Sequence, residues 1–159
     1  MSADDLFGKV VGRWEAMVAE MAATAEQYRE EGWEAVTLHP GDVTVVPADH
    51  EQFGLVSVVS DGEFETLLSV VEGRTFSSHE VYRDATDAMV FLLVVTESDD
   101  SEAVVLSPAY YERTPDGEGE LRSHDGELFT RIRNLAGDDV VTFSHDDPDP
   151  FFPDERFDA

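Results

Sequence analysis

The sequence predicts an α+β fold: a largely antiparallel sheet of about seven to eight strands, a long N-terminal helix and one short inserted helix. Three observations predict it. An apolar stripe at helical spacing opens the chain. A helix-capping pattern stands before its midpoint. From residue 75 onward, apolar runs of strand length alternate with turn residues. The connections between those runs are mostly of hairpin length, which favours antiparallel pairing with the long helix laid across one face.

The first helix is framed by Ser2 as N-cap, with Asp5 three residues on, and by Gly32 at the C-terminal stop. Between them Phe7, Val10, Trp14, Met17, Met21 and Tyr28 recur on one stripe, widened by Val11, Val18 and Ala25. That span is about 43 Å long at 1.5 Å per residue. Its near-heptad spacing suits packing on a sheet and also a homodimer. Trp33–Leu38 and Asp42–Val46 read as strands, and the intervening His39-Pro40-Gly41 fits a type II turn, so a hairpin is expected. Phe53–Val59 is a third strand. Ser60 and Glu63 then form a capping box for a short helix, with Phe64, Leu67, Leu68 and Val71 on one face and Gly73 at its end.

Thr75–Arg83 and Ala88–Thr96 flank the turn "DATD" as a hairpin, and Ala88–Val95 is apolar at every position, as a strand buried on both faces would be. Glu102–Leu106 follows, with Pro108 expected to end it. Residues 112–126 are polar and glycine-rich, the pattern of a mobile loop. Glu127–Arg133 and Val140–His145 make a last hairpin around "NLAGD". The tail from residue 146 to 159 is acidic and rich in Pro and Phe. Its prolines bar a helix interior or central strand, and Phe151-Phe152 is expected to fold back onto the body, with the first helix as its seat, docking into a partner being the alternative. With 159 residues and no linker long enough to separate units, the chain is read as a single domain, 1–159.

Composition narrows the chemistry. There is no cysteine, which removes thiol catalysis, disulfides and thiolate zinc sites. Acids precede the first apolar residues where a signal peptide would carry positive charge, and the longest apolar run is far short of the about 20 residues of a membrane span. A cytoplasmic protein that does not enter membranes is expected. The net charge is -26, with Lys9 the single lysine. Self-repulsion of that size strains a fold in dilute buffer but is screened at molar salt, where the Debye length is about 3 Å. High-salt adaptation therefore accounts for the acidity. Nucleic acid is not an expected partner, because phosphate contacts lack their usual lysines.

The phosphate-loop, dinucleotide-binding and nucleophile-elbow patterns are absent, and His79-Glu80 lacks the second histidine of a zinc-binding helix. No cofactor and no catalytic residue is implied. The scarce arginines offer the best candidate site: Tyr110 and Tyr111 precede the glycine-rich segment, and Arg131 and Arg133 stand two apart on a strand, where both point from one face. Such a group suits a small anionic or carboxylate ligand through bidentate hydrogen bonds. For a metal, the best available ligands are His145, Asp146 and Asp147.

Several stretches, "AATAEQYREEGWEAVTLHPGDV", "HEVYRDATDAMVFLLVV", "SPAYYER" and "VVTFSHDDPDPFF" among them, resemble a family of small acidic uncharacterised proteins from haloarchaea. The resemblance runs nearly end to end and implies a salt-rich cytoplasm, but it assigns no activity. Three functions stay open. The first is a non-enzymatic domain, monomeric or homodimeric through its first helix, that binds an unknown protein or small anionic ligand. The second is a small metal-assisted or acid–base enzyme, which convergence of His79 with His39 or His145 would favour. The third is an acidic adaptor for a basic partner.

Overall fold

Helix α1, Ala3–Glu30, ends as its glycine predicts. Gly32 takes a φ of 89°, its N–H donates to the Arg29 carbonyl and the Trp33 N–H to the Tyr28 carbonyl. This is a Schellman stop, completed by the edge-on contact of the Tyr28 and Trp33 rings at 5.2 Å. The computed structural model describes residues 3–46, 53–99, 102–114, 127–137, 139–146 and 149–152. Most of the segment expected to be a loop over 112–126, and residues 153–159 of the tail, lie outside the described residues.

The remaining elements are β1 (Glu34–Thr37), β2 (Asp42–Val46), β3 (Gly54–Val58), α2 (Asp61–Val71), β4 (Phe76–Ala85), β5 (Met89–Ser98), β6 (Ala103–Glu112), β7 (Leu128–Arg133) and β8 (Val140–His145), then a 3-10 turn at Asp149–Phe151. Among the described residues the architecture is α+β, with a long first helix, a short second one and eight strands. The strands form two sheets of four, ordered β1-β6-β5-β4 and β2-β3-β7-β8. Each is mixed: β1 runs parallel to β6 and β3 parallel to β7, while the other pairings are antiparallel.

Alternation along the strands stacks three layers. Phe91, Leu93 and Val95 of β5, with Val104 and Leu106 of β6, face Met17, Met21 and Ala25 of α1. The intervening Val90, Leu92 and Val94 face the second sheet and pack with Val43, Leu55 and Leu128. Burial on both faces of β5 is thus what its unbroken apolar run encodes. Ser60 caps α2 by accepting from the Glu63 N–H, and Phe64, Leu67 and Val70 bury against Val36 and Leu38 of the β1 segment and Ile132, Val141 and Phe143 of β7 and β8.

Three expectations are corrected. His39-Pro40-Gly41 does not close a hairpin. It carries the chain from one sheet to the other: Leu38 still bonds to Leu106, whereas the Gly41 N–H already bonds to Val58. Pro108 does not end a strand, since β6 runs on to Glu112. The carbonyls of Glu102 and Leu106 accept from Glu34 and Leu38, so the even-numbered backbone groups of β6 face β1. Pro108 shares that parity but lies beyond the end of β1, and its missing N–H costs no ladder bond. Finally, Phe151 and Phe152 fold back onto the body, but against Tyr111 and the inter-sheet core, away from the α1 layer. The Tyr111 hydroxyl donates to the Phe151 carbonyl at 2.7 Å, and Arg83 donates to the Pro150 carbonyl at 2.9 Å.

Candidate functional site

The edge strand of one sheet, β4, faces the edge strand of the other, β8, and a histidine from each meets between them. On β4, His79 lies two residues before Val81, which packs into the inter-sheet core, so the strand's period of two sends His79 to the same face. On β8, His145 shares the inward parity of Val141 and Phe143. The ring centroids are 4.1 Å apart and the planes inclined by 58°. His145 is 2% exposed, with the Phe151 ring against its edge at 4.9 Å. His79 is half-buried.

Each ring spends one nitrogen on a threonine. His79 Nδ1 lies 3.2 Å from Thr96 Oγ1, its direct cross-strand neighbour, and His145 Nε2 lies 2.9 Å from Thr130 Oγ1. The other nitrogens, His79 Nε2 and His145 Nδ1, are buried without a well-formed hydrogen bond to any described residue. A buried polar atom so placed costs about 1–3 kcal/mol. The two rings line a cleft of about 280 Å³, with Phe76, Val81 and Pro150 as apolar wall and with Ser77, Ser144 and Asp146 also in its lining.

Burial disfavours the imidazolium at both positions. It drives His145 down to about 3, with the neighbouring His79 adding to the effect. His79 is also lowered by burial, against the opposing pull of the Ser144 backbone and of the charges on Asp146 and Asp99. The cleft therefore holds two neutral imidazoles in a negative field. That suits coordination or hydrogen bonding to a ligand, and it does not suit capture of an anion.

The expected arginine–tyrosine group does not assemble. Consecutive residues on β6 point to opposite faces, so Tyr110 turns to α1 and meets Trp14 at 5.4 Å, while Tyr111 is buried between the sheets. Tyr110 lines a separate cleft of about 270 Å³ with Trp14, Met89 and Phe91, which is apolar in character. Arg131 and Arg133 do share one face, the outer one of the second sheet. Arg131 donates to the Phe53 carbonyl at 3.0 Å and to Thr142 at 3.2 Å and lies over the Phe129 ring, while Arg133 donates to the Asn134 carbonyl.

Of the expected metal ligands, His145 and Asp146 line the histidine cleft, and Asp147 lies outside the described residues. No group of three His, Asp or Glu stands ready for a metal among the described residues. Of the two convergences posed for His79, the one with His145 occurs. His39 instead bonds to Glu63 at the start of α2, at 2.7 Å. Sequence reasoning missed Thr96 and Thr130, the partners that fix the rings, because nothing local distinguishes them from other strand threonines. Only the strand register brings them to the histidines. No helix among the described residues is long and apolar enough to cross a membrane.

A family model described as a family of unknown function, DUF7529, matches residues 7–153. No curated protein and no solved structure matches the chain significantly.

Proposed function

We propose, from the premise that the chain belongs to the DUF7529 family of unknown function, that it is a non-enzymatic ligand-binding domain of a salt-rich cytoplasm. Its site is the cleft between β4 and β8. One observation carries the reading: two neutral imidazoles, from the edges of two sheets, line one cleft, and each keeps a buried nitrogen without a well-formed hydrogen bond to a described residue. Folding into this arrangement costs free energy, which a ligand that engages those nitrogens would recover. The acidic surface then serves solubility, and the resemblance to haloarchaeal proteins supports the same setting.

The convergence of His79 with His145 also favours the second reading, a metal-assisted or acid–base enzyme. That reading needs a nucleophile and a proton-transfer partner held together, and in the described lining the imidazoles and Asp146 stand with Ser77 and Ser144, of which the Ser77 hydroxyl already donates to Asp99. Binding needs less, and it is the function we assign.

The test is a thermal-shift screen in molar KCl against divalent metals, nucleotides, small carboxylates and neutral polar metabolites. A ligand at about 100 times its Kd stabilises by about 2.7 kcal/mol, which at about 2–4 °C per kcal/mol is readily seen. Ser77, an exposed residue of the cleft lining whose hydroxyl donates to Asp99, gives the control: Ser77→Trp is chosen to block the opening. A shift lost in Ser77→Trp is the expected result. Silence across the panel, or a shift that survives the filled cleft, would remove the assignment.

A further inference from the structure

We propose that the β4/β8 cleft takes a divalent transition-metal ion of borderline softness, such as zinc, cobalt or nickel, with His79 Nε2 and His145 Nδ1 as its protein ligands. This rests on the cleft being the ligand site and names the class of ligand. The pattern of hydrogen bonds carries it. A metal-binding imidazole characteristically donates its second N–H to a fixed partner, which holds the tautomer and aims the lone pair of the first nitrogen at the metal. Both rings have a threonine hydroxyl placed to accept such an N–H. When Nε2 of His145 donates to Thr130 Oγ1, its lone pair sits on Nδ1, and when Nδ1 of His79 donates to Thr96 Oγ1, its lone pair sits on Nε2. Those two atoms make no well-formed hydrogen bond to a described residue, although the Ser144 backbone also acts on the His79 ring.

Charge separates a cation from other ligands. The chain carries a net charge of -26, and the charges of Asp146, which lines the cleft, and of Asp99 act on His79. Neutral imidazoles in a negative field draw a cation and repel an oxyanion. Imidazole also selects among cations: magnesium and calcium prefer oxygen, whereas zinc, cobalt and nickel accept ring nitrogen. Both nitrogens are buried, so the rings must open to admit an ion. Nitrogens at about 2.0–2.1 Å from a tetrahedral ion would set the ring centroids about 5 Å apart, so the rings must part by about 1 Å. His79, half-exposed on an edge strand, is the ring free to give. Two protein nitrogens leave the remaining positions to water and to a carboxylate, and Asp146 is the carboxylate in the cleft's described lining.

The experiment is a titration of chelator-treated protein with Co²⁺ in molar KCl containing excess Mg²⁺, followed by visible absorption and calorimetry. Magnesium occupies the carboxylate-only sites that an acidic chain offers everywhere, so what remains reports nitrogen ligands. One equivalent of Co²⁺ per chain with a visible band is expected, competed by Zn²⁺. His79→Gln should weaken binding at least tenfold with the circular dichroism unchanged, and His39→Gln should not weaken it. Thr96→Val, which leaves both ligands in place, should cost about tenfold. Binding abolished by Mg²⁺, or indifferent to His79→Gln, would overturn the metal site. If an organic ligand from the screen still binds in a Ser77→Trp-sensitive way, the cleft remains the ligand site and only the metal is lost.

Discussion

The Tyr111 hydroxyl donates to the Phe151 carbonyl at 2.7 Å inside the protein, so the last strand of the first sheet holds the chain's C-terminal turn directly. Phe151 is 1% exposed and Phe152 3%, and both belong to the core between the sheets. The turn is therefore part of the fold. It also walls the histidine cleft, because Phe151 lies against His145.

Removing either side of this contact is expected to loosen the whole molecule. Phe151→Ala should cost about 3–5 kcal/mol, from lost burial and the cavity left behind. Tyr111→Phe keeps the ring but strands a buried carbonyl, at about 1–2 kcal/mol. Denaturant unfolding measures both. A Phe151→Ala protein as stable as the parent would mean that the turn does not pack in solution.

Acid should weaken the fold through His145. Its folded pKa, about 3, lies below the ordinary histidine value of 6.5, so between those values the unfolded chain binds the proton and the folded one does not. Stability from this group is intact above about pH 6.5 and declines as pH falls toward 3. From about pH 7.5 to about pH 5 the loss is about 2 kcal/mol. Because many carboxylates also titrate in acid, the measurement is the difference between parent and His145→Gln, both chelator-treated, across that range. A difference that does not change with pH would contradict the buried neutral ring.

Two glycines should respond to alanine with opposite signs. Gly54 opens β3 at a φ of 130°, and a Cβ there would lie 2.1 Å from the Phe129 carbonyl oxygen on the neighbouring β7. Gly54→Ala must strain the backbone and push the parallel pair apart, for upward of about 2 kcal/mol. Gly62 lies in α2 with open space around its Cα, so Gly62→Ala should stabilise by about 0.4–1 kcal/mol through the unfolded chain and helix propensity. Denaturation midpoints moving in the same direction would refute this reading of β3 and α2.

What the sequence disclosed was local. The Schellman stop at Gly32, the Ser60 cap and the two-sided burial of β5 each follow from a few adjacent residues, and each is found in the structure. The parallel pairings of β1 with β6 and of β3 with β7 depend on segments far apart in the chain, and no short pattern marks them. Pro108 misled for the same reason: whether a proline interrupts a strand depends on where the neighbouring strand stops. The candidate site was half legible. His145 and Asp146 stand out as an imidazole beside a carboxylate, and His79 is the histidine whose convergence with another would matter. Its pairing with His145 needs the register of both sheets and their stacking. The tyrosine–arginine group is not brought together, since adjacent tyrosines on a strand point to opposite faces.

Salt should act on this molecule in two opposing ways. The net charge of -26 repels itself across the whole surface, and raising KCl from about 0.1 M to about 2 M contracts the Debye length from about 10 Å to below 3 Å. Global stability is expected to rise over that range. A local ion pair should lose value over the same range. Arg13 on α1 reaches both carboxylate oxygens of Asp84 on β4 at 2.7 Å, and both side chains are 45% exposed. Arg13→Ala should cost no more than about 1 kcal/mol at low salt and less at high salt. Thermal unfolding of parent and variant across the KCl series separates the two effects, because the first appears in the parent's slope and the second in the gap between the curves. A parent whose stability is flat or falls with KCl would show that the acids are held apart well enough in dilute buffer, and that the charge serves a partner instead of a salt-rich solution.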